Sequence, residues 1–373
     1  MNESYVLDYP SKIVFGNGSL HELPGLLPPK AKKIFLITGR HAESTGLVKD
    51  IIKMLPDREV VTHCGITPEP PLDEVDALIK KGRANKVEAV VAVGGGSVMD
   101  AAKTAACLIP KSGVTADYFF KRMEITEKGL FMAAAPTTAG TGSEITKNAV
   151  LTDPATKVKQ SLRHDTMVPD LAIVDPLLTL SNPPELTAFS GLDAYTQAIE
   201  SYLSVNACSV SKALALCAIK KLYGNLPTAF MFPGNIGARR EMAEGSMITA
   251  MAFAQSGLGA VHGLAHPVGS LLKIPHGAAC SIFLVPVLKW NLTACEKQFD
   301  EMAGTIGASS GADFIEKTVE LARKLNIPDS FTSYGLKEEH FDFILKNCRS
   351  NSMKMNPRQM DDKDIVQMLK ELT

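Results

Sequence analysis

The chain has 373 residues, 45% of them hydrophobic and 21% charged, with 28 glycines and 22 prolines; it is too long for one ordinary core, so two domains are expected, and disorder and collagen-like repeats are excluded. Basic and acidic residues number 39 and 40, a formal net charge of -1, which leaves no global field for nucleic acid or an anionic membrane and points to a small-molecule partner. The opening MNESYVLDYPSKIVF lacks a basic stretch followed by an apolar one, no segment approaches the roughly 20 apolar residues of a membrane span, and seven scattered cysteines without a CxxC pair are expected to be reduced, mostly small core residues of a cytoplasmic protein.

From Lys33 the run IFLIT predicts a strand, followed by Gly39-Arg40 and a helix over GLVKDIIKML. EVVTHCG predicts a second strand, and after a proline-rich connection DEVDALIKKGRANK predicts an amphipathic helix. A wholly apolar strand at about 88–93 then breaks into Gly94-Gly95-Gly96-Ser97 and a small-residue helix. That alternation is the order of a Rossmann-like α/β domain, a parallel sheet with helices on both faces. The glycine triplet opens the helix, so its backbone N–H groups can approach a phosphate at the positive end of the helix dipole. It is neither GxGxxG nor a Walker motif, and a tight turn requiring positive φ is the alternative.

A second apolar strand at about 130–135 leads into Thr137, Thr138, Gly140, Thr141, Gly142 and Ser143. Hydroxyls and glycines at that density suit a ribose, a phosphate or a nicotinamide carboxamide, although such loops also serve as plain turns. Two loops of this kind after two strands point to one long ligand along the carboxyl ends of the sheet. LAIVDP at Leu171–Pro176 is the last predicted strand, and Leu178–Leu186 is the predicted linker. The expected domains are therefore 1–176, α/β and dinucleotide-binding, and 177–373, all-α. Patterned helical runs follow at about 191–204, 209–223, 236–256 and 311–325, and the tail NPRQMDDKDIVQMLKELT predicts a closing helix.

Asp193 and Gln197 stand four apart on the first helix after the linker, on one face. Three of eight histidines fall in LGAVHGLAHPVGSLLKIPHG. His262 and His266 share a face near the expected end of a helix, before Pro267, and His276 lies where a new helix is expected to start. Any one histidine on an apolar face is usually a hydrogen-bonded core residue, and Asp193 alone reads equally well as a cap. Three histidines and an aspartate together suit divalent iron or zinc.

FGNGSL, Pro68-Glu69-Pro70, GGGSVMD at 94–100, PTTAGTGSE at 136–144, PDLAIVDP at 169–176, the Asp193 helix and HGLAHPVG…IPHG together resemble the iron-containing (group III) alcohol dehydrogenases over nearly the whole chain. The resemblance implies an N-terminal dinucleotide-binding domain, a helical metal and substrate domain, and an enzyme transferring hydride between a nicotinamide cofactor and an alcohol, aldehyde or ketone polarised by a divalent metal. It assigns the metal to Asp193, His262 and His276, and puts His266 beside the nicotinamide and substrate as candidate proton relay. Gly94, Gly95, Gly96, Ser97 and Asp100 fall to the pyrophosphate turn, Thr137, Thr138, Thr141 and Lys159 to the cofactor's sugar and nicotinamide side, and Asn148 and Leu258 to the substrate pocket. A homodimer or larger homo-oligomer is implied.

Two positions depart from the family pattern. Gln197 stands where a second helical ligand histidine is usual, and a neutral amide is a poorer ligand, so zinc or weakly held iron is expected. Where relatives using NAD place a carboxylate for the ribose 2′-hydroxyl, this chain has Gly39, followed by Arg40. A guanidinium suits a 2′-phosphate, so NADP(H) is expected over NAD(H), unless Arg40 is simply solvated. The competing readings are a metal-independent reductase of an activated carbonyl, a dehydroquinate synthase-like lyase, and a non-catalytic protein that has lost its metal.

Overall fold

The runs KIFLIT and AVVAVG form adjacent strands because apolar neighbours cover both of their faces. In the computed structural model, which describes residues 5–156 and 158–373, the strands are β1 (Lys12–Phe15), β2 (Lys33–Thr38), β3 (Glu59–Cys64), β4 (Ala89–Gly94), β5 (Phe131–Pro136), β6 (Asn148–Thr152), β7 (Lys159–Arg163) and β8 (Leu171–Val174). Six make one sheet in the order β1-β8-β5-β4-β2-β3, every pair parallel. Side chains alternate between its faces, as a period of two requires. Ile34, Leu36, Val91, Val93 and Ala133 join a core with Leu23, Val48 and Ile51, while Phe35, Ile37, Val90, Ala92 and Ala134 join another with Val75, Met99 and Ala102.

The chain divides into two units. One holds Asp8–Thr138 and Gly142–Thr179 and contains all eight strands; the other holds Leu180–Thr373 together with Ala139–Thr141 and the residues up to Leu7. In the helical unit the Pro184–Leu203 helix is buried without a break from Gly191 to Leu203, packed by the Ser209–Met231, Ile236–Ser256 and His276–Leu292 helices. Tyr195, Leu222, Phe283, Phe299, Phe314 and Phe331 fill its core. The closing helix, Asp362–Glu371, buries Ile365 and Leu369, and the Phe331 N–H donates to the Leu372 carbonyl just beyond it (2.8 Å). Among the described residues no helix is long and apolar enough to cross a membrane.

Several elements differ from the sequence expectation. The first helix after the linker begins at Pro184, inside the predicted linker, with Pro184 in its first turn, where a missing N–H costs nothing. The helix carrying His262 and His266 is Ala260–Leu272 and runs through Pro267, so these histidines lie in its first two turns and not at its end. A proline there forfeits one internal hydrogen bond, to the Gly263 carbonyl, and the helix stops only where Lys273 turns left-handed at φ 55. Neither β1 nor the antiparallel ladder of β6 and β7 was expected.

Candidate active site

The metal candidates converge inside the helical unit. The Pro184–Leu203 helix contributes Asp193, the Ala260–Leu272 helix His262, and the His276–Leu292 helix His276 from its first residue. His262 Nε2 is 3.3 Å and His276 Nε2 3.8 Å from Asp193 Oδ1. Cys280, one turn beyond His276, brings its sulfur to 3.5 Å from His276 Nε2, and ligand atoms of all four residues lie within 4.8 Å of one another. Asp193 and His262 are each 2% exposed, and neither Asp193 Oδ1 nor His262 Nε2 makes a hydrogen bond. Two buried atoms left so at the focus of a donor set fit a divalent cation, because buried polar atoms are otherwise nearly always satisfied.

The charge balance agrees. Among the described residues, the ion-pair partners of the buried carboxylates Asp193 and Glu200 are histidines alone. Burial pushes the His262 pKa down, but Cys280, Glu200 and Asp193 around it outweigh that and hold it well above the ordinary histidine range. Two buried carboxylates paired with histidines alone call for a positive charge, on the imidazoles or on an ion. Gln197 donates Nε2 to Asp193 Oδ2 at 3.0 Å, while its Oε1 has no hydrogen-bond partner.

Glu200 is a functional residue that sequence reasoning passed over. It lies seven residues after Asp193, two turns along one helix face, and its Oε2 is 2.6 Å from His262 Nδ1. That contact leaves Nε2 for the cation, the usual support for a ligand histidine. Glu200 Oε1 also accepts the Val261 N–H at 2.6 Å, and Asn356 Oδ1 the Ala260 N–H at 3.2 Å. Two side chains thus cap a helix whose own N-cap, Gly259, cannot. A Cβ at Gly259 would sit 2.8 Å from Glu200 Oε1, so glycine is required for the approach. Glu200→Gln is expected to weaken metal binding ten- to hundredfold with the fold retained, measured by competition with a chromophoric chelator; unchanged affinity would remove Glu200 from the site.

His266 is half-buried, and its ring stacks on His276 with centroids 4.9 Å apart and planes 13° apart. Leu258, half-buried, sits in the short turn before the Ala260–Leu272 helix. Thr141 belongs to the same unit, its neighbour Gly140 lying so close to Ser190 that a Cβ would approach within 2.8 Å.

In the α/β unit, β4 and β5 are in register from Ala89↔Phe131 to Gly94↔Pro136, which sets their two following turns side by side. The Thr137 N–H donates to the Gly94 carbonyl (2.9 Å), and Thr138 lies 3.6 Å from where a Gly95 Cβ would be. None of Gly94, Gly95 and Gly96 has positive φ, so the strained-turn alternative does not explain the triplet. Gly94 is instead required by packing, since a Cβ there would meet Val98 at 2.5 Å. The Gly96–Leu108 helix has no side-chain cap, which leaves its first N–H groups facing the turn.

Lys159 pairs with Glu69, whose N–H donates to the Ser97 hydroxyl at 3.2 Å. Three residues far apart in sequence are thereby linked at the start of that helix. The Asp100 carboxylate accepts from the Ser143 hydroxyl (2.6 Å) and the Val150 N–H (3.0 Å). Beside it the fully buried Lys103 donates to Ser143 Oγ and to the carbonyls of Thr146 and Asn148. Burial lowers the Lys103 pKa to about 8, against the pull of Asp100 and Glu144. This network fixes the segment that carries Asn148. Gly39 ends β2, and the exposed Arg40 begins a short helix with its side chain across Gly65, just past β3. Among the described residues Arg40 makes no salt bridge.

Known proteins match this arrangement along its whole length. The iron-containing alcohol dehydrogenase profile matches residues 10–176, and the C-terminal profile of the same family matches residues 187–373. Long-chain-alcohol dehydrogenase 1 of Geobacillus thermodenitrificans is 34% identical over 353 residues, 91% of this chain and 89% of its own. The NAD-dependent methanol dehydrogenase of Bacillus methanolicus is 33% identical over 376 residues, 97% and 98%. The crystal structure of a 1,3-propanediol oxidoreductase superposes over 100% of both chains with a TM-score of 0.95 at 29% identity. The chain is an oxidoreductase, and it belongs to the iron-containing alcohol dehydrogenase family.

Proposed function

We propose that this protein is a metal-dependent, NADP(H)-preferring alcohol dehydrogenase that works as an aldehyde reductase. The observation that carries the reading is the convergence of Asp193 Oδ1, His262 Nε2 and His276 Nε2 in a buried, carboxylate-rich pocket. When bound, a divalent iron or zinc supplies Lewis-acid polarisation of a carbonyl oxygen, and the nicotinamide supplies the hydride. Asp193 and His276 would hold the metal with His262, which Glu200 orients through Nδ1. Gln197 fixes the Asp193 carboxylate through Nε2. His266, stacked on His276, passes a ring proton to the oxygen that becomes the alcohol.

On the cofactor side, Gly94, Gly95, Gly96 and Ser97 present backbone N–H groups to the pyrophosphate. Thr137, Thr138 and Lys159, all of the α/β unit, serve the sugar and nicotinamide side. Arg40, exposed and without a salt bridge at the end of β2 where no carboxylate stands, favours a 2′-phosphate. NADPH is kept largely reduced in cells, which sets the direction towards aldehyde reduction. Seven unpaired cysteines support a reducing compartment, the cytoplasm.

The test is oxidation of NADPH and of NADH with short aldehydes by protein stripped with a chelator, then reloaded with Fe(II) or Zn(II). Activity lost on stripping, restored by metal and faster with NADPH is the expected result. Activity indifferent to metal would overturn the Lewis-acid reading and leave the chemistry to His266.

A further inference from the structure

We propose that Cys280 is the fourth protein ligand of this chain's metal, giving an Asp193/His262/His276/Cys280 centre in which Gln197 only supports Asp193. The inference rests on the metal-dependent reading above and goes beyond it in naming the ligand set and the metal it selects. Cys280 follows His276 by four residues on the His276–Leu292 helix, so both side chains project from one face. The sulfur is fully buried, and it belongs to the group of ligand atoms lying within 4.8 Å of one another.

Two of the spacings are those of a metal shell, and the rest can close to it by side-chain shifts of about an ångström. Around a tetrahedral zinc with Zn–N and Zn–O near 2.0–2.2 Å and Zn–S near 2.3 Å, neighbouring N and O ligands sit about 3.4 Å apart, and sulfur about 3.6 Å from nitrogen. The structure has 3.3 Å from His262 Nε2 to Asp193 Oδ1 and 3.5 Å from Cys280 Sγ to His276 Nε2. Asp193 Oδ1 and His262 Nε2, buried beside that sulfur and without hydrogen bonds, are the independent sign that the cluster closes on an ion. Gln197 has its Nε2 committed to the other oxygen of Asp193; its Oε1, buried without a hydrogen bond, is a neutral and weaker donor than a thiolate, so the amide braces a ligand while the thiol one helix away fills the coordination place. Binding converts the Cys280 thiol to a thiolate, the proton leaving to solvent as the sulfur–metal bond forms. Two anionic ligands, Asp193 and the thiolate, then balance a divalent charge. A thiolate also softens the site and favours zinc over ferrous iron.

Zinc-edge X-ray absorption on the zinc-loaded full-length protein tests this directly. The expected spectrum has one sulfur at about 2.3 Å beside nitrogen and oxygen neighbours at about 2.0–2.2 Å. Cys280→Ser is expected to retain one zinc per chain at saturation, to lose the sulfur shell and to bind zinc at least tenfold more weakly. Cys280→Ala, which buries no hydroxyl, is measured beside it so that a folding defect in one variant is not read as a lost ligand. Cobalt(II) loading gives a second readout, a near-ultraviolet thiolate charge-transfer band present in the wild type and absent from both variants. Zinc held by nitrogen and oxygen neighbours alone would overturn the proposal and return Cys280 to the core, with the metal-dependent reading intact. A wild-type protein that takes up no zinc or iron would overturn both.

Discussion

Asp193→Asn is expected to lower aldehyde-dependent NADPH oxidation by about a thousandfold, mostly in kcat. The substitution keeps the shape of the side chain but removes the one buried charge that faces both His262 Nε2 and His276 Nε2. A neutral amide cannot balance a divalent ion in this pocket, so the ion is lost or displaced and its stabilisation of developing negative charge goes with it. Lewis-acid polarisation is worth several kcal/mol, and loss of one preorganised group at a developing oxyanion alone costs about a hundred- to a thousandfold. Because that stabilisation belongs to the transition state, kcat falls with kcat/KM while aldehyde KM moves little. The Pro184–Leu203 helix is buried on all sides there, so the thermal midpoint is measured in parallel. An Asp193→Asn enzyme that stays folded and keeps activity within tenfold would remove Asp193 from the metal.

The second large effect concerns the cofactor. Arg40→Ala is expected to lower kcat/KM for NADPH ten- to a hundredfold through a raised KM, leaving NADH almost unchanged. Arg40→Asp is expected to reverse the preference. Each hydrogen bond from a guanidinium to a phosphate is worth about 1.5–3 kcal/mol, and an introduced carboxylate both accepts from a 2′-hydroxyl and repels a 2′-phosphate. The Arg40 side chain spans Gly65 and is exposed, so neither change disturbs the core. An equal loss with both cofactors would show that Arg40 touches only what NADH and NADPH share. The relative from Bacillus methanolicus, named for NAD dependence, makes the NADPH/NADH ratio the sharper quantity to measure.

The α/β half was legible wherever both faces of a strand are buried, because β2 and β4 then become unbroken apolar runs that only a covered parallel sheet accommodates. It was not legible at β1, four residues whose partner β8 lies far along the chain. Nor was it at β6, five residues with two of them buried, or at β7, a polar KQSLR run that buries only Leu162. Pro267 misled because one lost hydrogen bond does not end a helix held on all sides by tertiary packing. The site divides the same way. Spacing of four put Asp193 with Gln197 and His262 with His266 on common faces, and the fold brings Asp193, His262 and His276 together. Glu200 looked like any helical glutamate until its helix proved to be buried without a break from Gly191 to Leu203. Cys280 carried the signal used for the other pairs, four residues after a candidate ligand, but scattered cysteines suggest packing before ligation.

The strand order carries a consequence for biosynthesis. Lys12 of β1 pairs with Leu171 of β8, 171 − 12 = 159 positions later, and the Gly18 and Leu20 N–H groups wait for the Asp175 carboxylate. At translation speeds of about 5–20 residues per second, β1 waits roughly ten to thirty seconds before its partner strand β8 is made. The short KIVF strand, opened by Lys12 and followed by Gly16, is a poor template for pairing between nascent chains. Synthesis therefore leaves this edge of the sheet open until β8 has been made.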